Sequence, residues 1–255
     1  MRSKSILPRS KFLKTIISTI TILAFWEILA LVVNDSYFLP DVTETFGALV
    51  KIVLDGSFFK VVFTALYRVF SGLFLGVLLG ISVAFLCFKF DLINTVLAPI
   101  ISIMKATPVA CIIVLLWIRL NYTEIAIFVV VLMVLPIVWQ NVYEGFKSVD
   151  KNLTEVADTF ELTRFKRLTV LLIPSVLSYL LPAIVTSVGL AWKAEVAAEI
   201  MTNSNIGELI YDFKTVSYDT ASIFAWTAII VTLSILFEKT AKHFLGRLAN
   251  EFRNN

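Results

Sequence analysis

Five stretches of this chain run for eighteen residues or more with at most one charged side chain among them, and that feature limits the fold more than any other. Thr15 to Asn34 is interrupted only by Glu27, while Val69 to Phe88, Ile125 to Tyr143, Leu168 to Trp192 and Thr220 to Phe237 carry no charge. About 20 apolar residues rising about 1.5 Å each are what a hydrocarbon layer of about 30 Å requires. Inside lipid the backbone must satisfy its own hydrogen bonds, which makes each run a helix. Composition agrees: 58% of residues are hydrophobic and 16% charged, with a mean hydropathy of +0.88, against about 25% charged in soluble domains. A cytosolic enzyme, a secreted disulfide scaffold and a disordered chain are excluded together. Cys87 and Cys111 lie in apolar runs, where a small hydrophobe is the plain reading, and the single histidine, His243, stands near a charged terminus. No catalytic residue and no metal site is expected.

A sixth crossing is less clean, because Leu92 to Ile118 is broken by Lys105, Pro99 and Pro108. We read a kinked span there; a re-entrant segment is the alternative and would put the chain ends on opposite sides. The expected fold is all-α, a single integral membrane domain over residues 1–255, with spans near 15–35, 69–88, 97–118, 125–143, 170–192 and 220–238. Lys and Arg collect on the cytoplasmic side of membrane proteins. With six spans, sixteen of them fall on the side of the N-terminus, the second and fourth loops and the tail, and six on the other. Both termini are therefore expected in the cytoplasm, with the first span uncleaved because no small-residue cleavage site follows it.

Three polar or small-residue patterns interrupt the apolar runs. Asp41 and Glu44 have capping-box spacing, and Val42, Phe46, Leu49, Val50 and Val53 then share one face of a short outer helix, which packs on the bundle or lies at the interface. Gly72, Gly76, Gly80 and Ala84 recur every fourth residue and form a packing stripe for a close helix, from this chain or a second copy. The fourth loop, 148–167, adjoins ten charges between Glu144 and Arg167, five of each sign. Asn152 and Glu155 again have capping spacing, and Leu153, Val156, Ala157 and Phe160 fall at i, i+3, i+4 and i+7 on a short amphipathic helix. Spacing alone leaves open whether that helix lies on the membrane or docks into a partner.

The residues of this loop resemble a known pattern. Glu155-Val156-Ala157, a turn at Glu161 and Leu171-Leu172-Ile173-Pro174 are similar to the EAA loop of permease subunits of ATP-binding cassette importers, with Pro174 at the expected distance. Phe38-Leu39-Pro40, Arg68-Val69-Phe70-Ser71-Gly72, Lys105-Ala106-Thr107-Pro108, Gly145-Phe146-Lys147-Ser148-Val149-Asp150 and Ala191-Trp192-Lys193-Ala194 with Ala197-Ala198-Glu199 resemble the nitrate, sulfonate and taurine branch of that family. The resemblance implies the type I importer permease fold and a multi-pass location in the bacterial plasma membrane. One departure is plain: Glu161 stands at the family's glycine position. Glutamate disfavours positive φ, so the turn is expected to shift or open.

The resemblance also implies a mechanism. Leu153, Glu155, Val156, Ala157, Asp158, Phe160, Glu161, Arg164 and Pro174 become coupling residues, with Val156, Ala157 and Phe160 buried in a groove of a cytoplasmic ATPase. Glu155, Asp158 and Arg164 then set register at the rim. The chain has no G-x-x-x-x-G-K-[ST] phosphate loop, so it binds no cofactor, and ATP and Mg are used by the partner ATPase in two copies. A second permease copy, an extracytoplasmic solute-binding protein and the bilayer complete the implied partners, with no nucleic acid. The implied substrate is a small anion such as a sulfonate, taurine or nitrate, or a vitamin precursor such as a thiamine pyrimidine. Ionisable residues in or beside spans are pathway candidates, and Trp192, Lys193, Glu195 and Glu199 form the densest such group, with Glu27 and Lys105 apart. A secondary transporter with broken helices at Pro108 and Pro136 and a membrane enzyme using Glu195 and Glu199 as a carboxylate pair are the alternatives. The charged loop argues against both.

Overall fold

The computed structural model describes residues 8–150, 155, 157 and 159–254, and every described element is helical. In chain order these are α1 (Pro8–Val33), α2 (Val42–Leu54), α3 (Phe58–Lys89), α4 (Asp91–Ala106), α5 (Val109–Trp117) and α6 (Tyr122–Lys147). A turn at Arg164–Arg167 and a π-turn at Leu168–Leu172 follow, leading into α7 (Ile173–Thr202), then α8 (Ile206–Thr215) and α9 (Thr220–Asn254). Five helical stretches are long and apolar enough to cross a membrane: Leu13–Val33, Phe58–Lys89, Tyr122–Lys147, Phe165–Thr202 and Thr220–Arg247. They overrun the charge-free runs because a helix continues through a charge. Lys60 and Arg68 both lie inside α3, which begins eleven residues before the expected 69.

The expected kinked span over 97–118 is sharper than a kink. Helices α4 and α5 meet at a bend of 96°. Thr107 and Pro108 are both extended, at ψ 126° and 130°, because a proline ring disfavours helical geometry in the residue before it and offers no N–H to continue the ladder. At sixteen and nine residues the two pieces rise about 24 and 13 Å, each short of the hydrocarbon thickness. Lys105, at the end of α4, donates from Nζ to Gln140 Oε1 of α6 at 2.7 Å.

The chain divides into two compact units, Met1–Phe58 with Ile210–Ile229, and Phe59–Leu209 with Ile230–Asn255. In the first, the capping box at the start of α2 forms as expected between Asp41 and Glu44. Glu27, the charge within the first span, accepts from the Val42 N–H at 3.0 Å, so it serves the unpaired first turn of α2. Trp26 Nε1 donates to the Pro40 carbonyl at 3.1 Å and its ring lies 5.7 Å from that of Phe224. Helix α2 buries Thr45 and Ala48 but leaves Phe46, Val50 and Val53 exposed. Val42 and Leu49 of the same face are half-buried, so the face is partly covered by the described residues and partly open, as on a helix that packs at an interface.

In the second unit the glycine stripe finds its partner within the same chain. A Cβ placed on Gly72, Gly76 or Gly80 would lie 2.6, 2.8 and 2.8 Å from the Cβ of Val130, Val134 and Val138 of α6. Ala84 and those three valines are fully buried. Two backbones thus meet where lipid provides no hydrophobic drive and close packing must hold the helices together.

Candidate functional site: the fourth loop and a buried ion pair

Glu155, Ala157 and Thr159 are helical; Leu153, Val156 and Asp158 lie outside the described residues, as does the side chain of Arg164. The turn stays at Glu161, against the expectation that it would shift or open. Glu161 adopts φ 50°, and the Leu162 N–H donates to the Ala157 carbonyl at 3.0 Å, the six-to-one bond of a helix ended by a left-handed residue. Arg167 supplies the compensation: its Nε donates to the Leu162 carbonyl at 3.1 Å and its Nη2 to that of Ala157 at 3.4 Å. A guanidinium on the last carbonyls also suits the negative end of the helix dipole. These bonds hold a conformation that costs a non-glycine residue about 1 kcal/mol.

Of the expected docking face, Ala157 alone differs among the described residues. Ala157 is buried within this chain, whereas Glu155 and Glu161 are exposed and Phe160 is 74% exposed. Phe165, which the periodicity did not single out, is equally exposed and stands four residues past the turn. Two large aromatic rings therefore stand exposed on either side of the turn. Pro174 is half-buried in the first turn of α7, where its missing N–H is harmless.

The group from Trp192 to Glu199 divides by helix face. Trp192, Glu195 and Glu199 point inward and are buried, and Lys193 is exposed. Trp192 is structural: Nε1 donates to the Ile230 carbonyl at 3.1 Å and its ring packs 5.6 Å from Phe237. Glu199 is the centre of a buried polar joint. Its Oε1 accepts from Arg68 Nη1 at 2.6 Å and from Asn205 Nδ2 at 2.9 Å, and Oε2 accepts from the Ile206 N–H at 3.1 Å. Asn205 Nδ2 also donates to the Val61 carbonyl of α3 at 3.0 Å, and Arg68 Nη2 to Thr123 Oγ1 of α6 at 3.2 Å. The turn between α7 and α8 is tight, with Asn203 and Asn205 at positive φ. Gly207 sits where a Cβ would fall 1.9 Å from the Glu199 carbonyl oxygen. The joint ties α3, α6, α7 and α8 together.

Arg68 was legible only as part of a motif, because its partner lies 131 residues away and no local spacing discloses such a pair. It lines a cavity of about 580 Å³ together with Tyr67, Asn121, Thr123 and Glu124. Among the described residues no group of three His, Cys, Asp or Glu side chains could hold a metal.

Five helices long and apolar enough to cross a membrane give this chain the build of an integral membrane protein, and its relatives show of which kind. The chain belongs to the family described as binding-protein-dependent transport system inner membrane component, which it matches over residues 76–248. It is 25% identical over 258 residues to the protein named aliphatic sulfonates transport permease SsuC of Bacillus subtilis, covering all of this chain and 93% of that one. It is 30% identical over 175 residues to the bicarbonate transport system permease CmpB of Synechocystis, covering 68% and 62%. Its fold resembles that of the methionine ABC transporter MetNI, with a TM-score of 0.60 and 18% identity, covering 73% of this chain and 93% of that one. It is a multi-pass permease subunit of an ABC importer with the type I fold, and in such an importer ATP is hydrolysed by a separate ATPase subunit and solute arrives on a binding protein.

Proposed function

We propose that two copies of this chain form the pathway of an importer in the bacterial plasma membrane, taking up a small oxoanion handed over by an extracytoplasmic binding protein. Two cytoplasmic ATPase subunits, which use ATP and Mg, dock on the loop 148–167. Both chain ends are cytoplasmic, in keeping with the sixteen basic residues on that side against six. The observation that carries the coupling reading is the exposure of Phe160 and Phe165 on either side of a braced turn. Exposed aromatics on a short helix are what a groove on a partner recognises, and the rim charge of Glu155 adds specificity. An oxoanion substrate is supported by relatives named for aliphatic sulfonates, bicarbonate and nitrate.

The test is reconstitution of the permease with its ATPase and binding protein in proteoliposomes, offering a sulfonate, nitrate and bicarbonate in turn. ATP-dependent uptake of one of them is expected. Phe160→Ala with Phe165→Ala should abolish copurification of the ATPase while leaving the permease folded. Uptake without ATP, or undiminished ATPase binding by the double variant, overturns the coupling reading.

A further inference from the structure

Glu195 is the anomaly of this molecule. It is fully buried in α7, one turn before Glu199 on the same face, yet among the described residues no N–H or hydroxyl donor reaches either of its carboxylate oxygens, and the side chain it shares a hydrogen bond with is another carboxyl, that of Glu199. Buried polar groups are nearly always paired, and an intramembrane carboxylate without a partner is costlier still. The charged groups acting on it are those of Glu199 and Arg68. Arg68 has a spare donor as well, because its buried Nε is unpaired while Nη1 and Nη2 are engaged by Glu199 and Thr123.

We propose that Arg68 has two acceptor positions on α7, Glu199 as seen here and Glu195 one turn earlier, and that its transfer between them accompanies the change of access during transport. This rests on the reading of the chain as the pathway of an ATP-driven importer. Two observations make the transfer feasible. Glu195 and Glu199 are separated by four residues, about 6 Å along the helix and about 40° around it, within reach of a guanidinium on a long flexible stem. Departure of Arg68 would take away the charge partner of Glu199 but leave it the Asn205 Nδ2 and Ile206 N–H donors, whereas arrival would give Glu195 its first cationic partner in exchange. The exchange changes what holds the turn between α7 and α8 to α3. One-turn steps between packed helices are an established way for a bundle to switch between two discrete arrangements.

The experiment uses the full chain with its ATPase in proteoliposomes, carrying spin labels at Tyr67→Cys of α3 and Ile200→Cys of α7, both exposed, in a background with Cys87→Ala and Cys111→Ser. Distances are read without nucleotide and with ATP and vanadate. The unsubstituted pair should give two distance populations that exchange weight on ATP binding. Glu195→Gln should keep one population in both conditions and lower ATP-driven uptake at least tenfold. Glu199→Gln should move the weight toward the other. A Glu195→Gln protein that samples both populations with the weights of the parent, or transports at its rate, overturns the proposal. Absence of any ATP response in the parent protein itself would instead strike the importer reading. Glu195→Asp, which keeps the charge one methylene shorter, should restore part of the exchange if an ion pair is formed; recovery no better than with glutamine also counts against the proposal.

Discussion

Substituting Gly76 by alanine tests the central packing claim, because the added methyl meets an atom that has no means of moving aside. The new Cβ would stand 2.8 Å from Val134 Cβ and 2.9 Å from its Cγ1, against about 3.5–4.0 Å for relaxed carbon contacts. A rotamer change removes Cγ1 from the clash but leaves Cβ, which is fixed to the α6 backbone. The helices must therefore part by about 1 Å, and separation at Gly76 also loosens the contacts at Gly72 and Gly80 on either side. Overpacking of this kind costs about 1–3 kcal/mol. The assay is unfolding in detergent of Gly76→Ala, Val134→Ala, Val134→Gly and the two doubles. Val134→Ala retains the offending Cβ and should give no rescue. Val134→Gly removes it and should recover at least about 1 kcal/mol of coupling in the cycle. The reasoning is refuted if Gly76→Ala is as stable as the parent, or if alanine at 134 rescues as well as glycine.

Three further outcomes follow from the sites. Glu161→Gly should stabilise the loop by about 1 kcal/mol, since it removes the left-handed penalty, seen as slower hydrogen exchange at Leu162; faster exchange there would contradict the assigned turn. Arg68→Ala should cost about 3–5 kcal/mol because it leaves Glu199 without its charge partner, whereas Arg68→Met with Glu199→Leu should cost much less, measured by thermal unfolding in detergent. Equal losses in both would mean that the pair is needed for more than charge balance. Arg167→Ala should free the Ala157 and Leu162 carbonyls and speed exchange across the loop helix, an effect that Lys in place of Arg should only partly reverse because it lacks the fork of donors.

Much of the fold was legible because lipid imposes a simple rule, a long apolar run for each helix. The rule fails at helix ends: α3 continues through Lys60 and Arg68, so counting between charges cuts it short. Pro108 marked the break between α4 and α5, but a right angle depends on Thr107 being extended too, which a kink does not require. The glycine stripe was readable on its own. Its partner could have been found as well, since Val130, Val134 and Val138 repeat with the same four-residue spacing, and two stripes of equal period are candidates to face each other. At Glu161 local propensity pointed away from the turn, and the sequence pattern of the loop was the better guide. The reason is Arg167, whose bonds to two loop carbonyls lie outside any propensity scale. The Arg68 to Glu199 pair had no local signal at all.

The two kinds of joint in the second unit suit different tasks. Along Gly72, Gly76 and Gly80 no adjustable side chain lies between α3 and α6, and any sliding would drive backbone into Val130, Val134 or Val138; such a seam has one register and moves as a body. At Arg68 the contact is made by a long side chain with an idle donor, beside a cavity and within a turn of a second buried carboxylate. A permease that alternates its access needs both, because a bundle made only of close seams has one state and one made only of polar contacts has no fixed parts to carry the motion. The physical distinction between them is the number of ways each contact can be satisfied: once along the glycine stripe, and at least twice around Arg68.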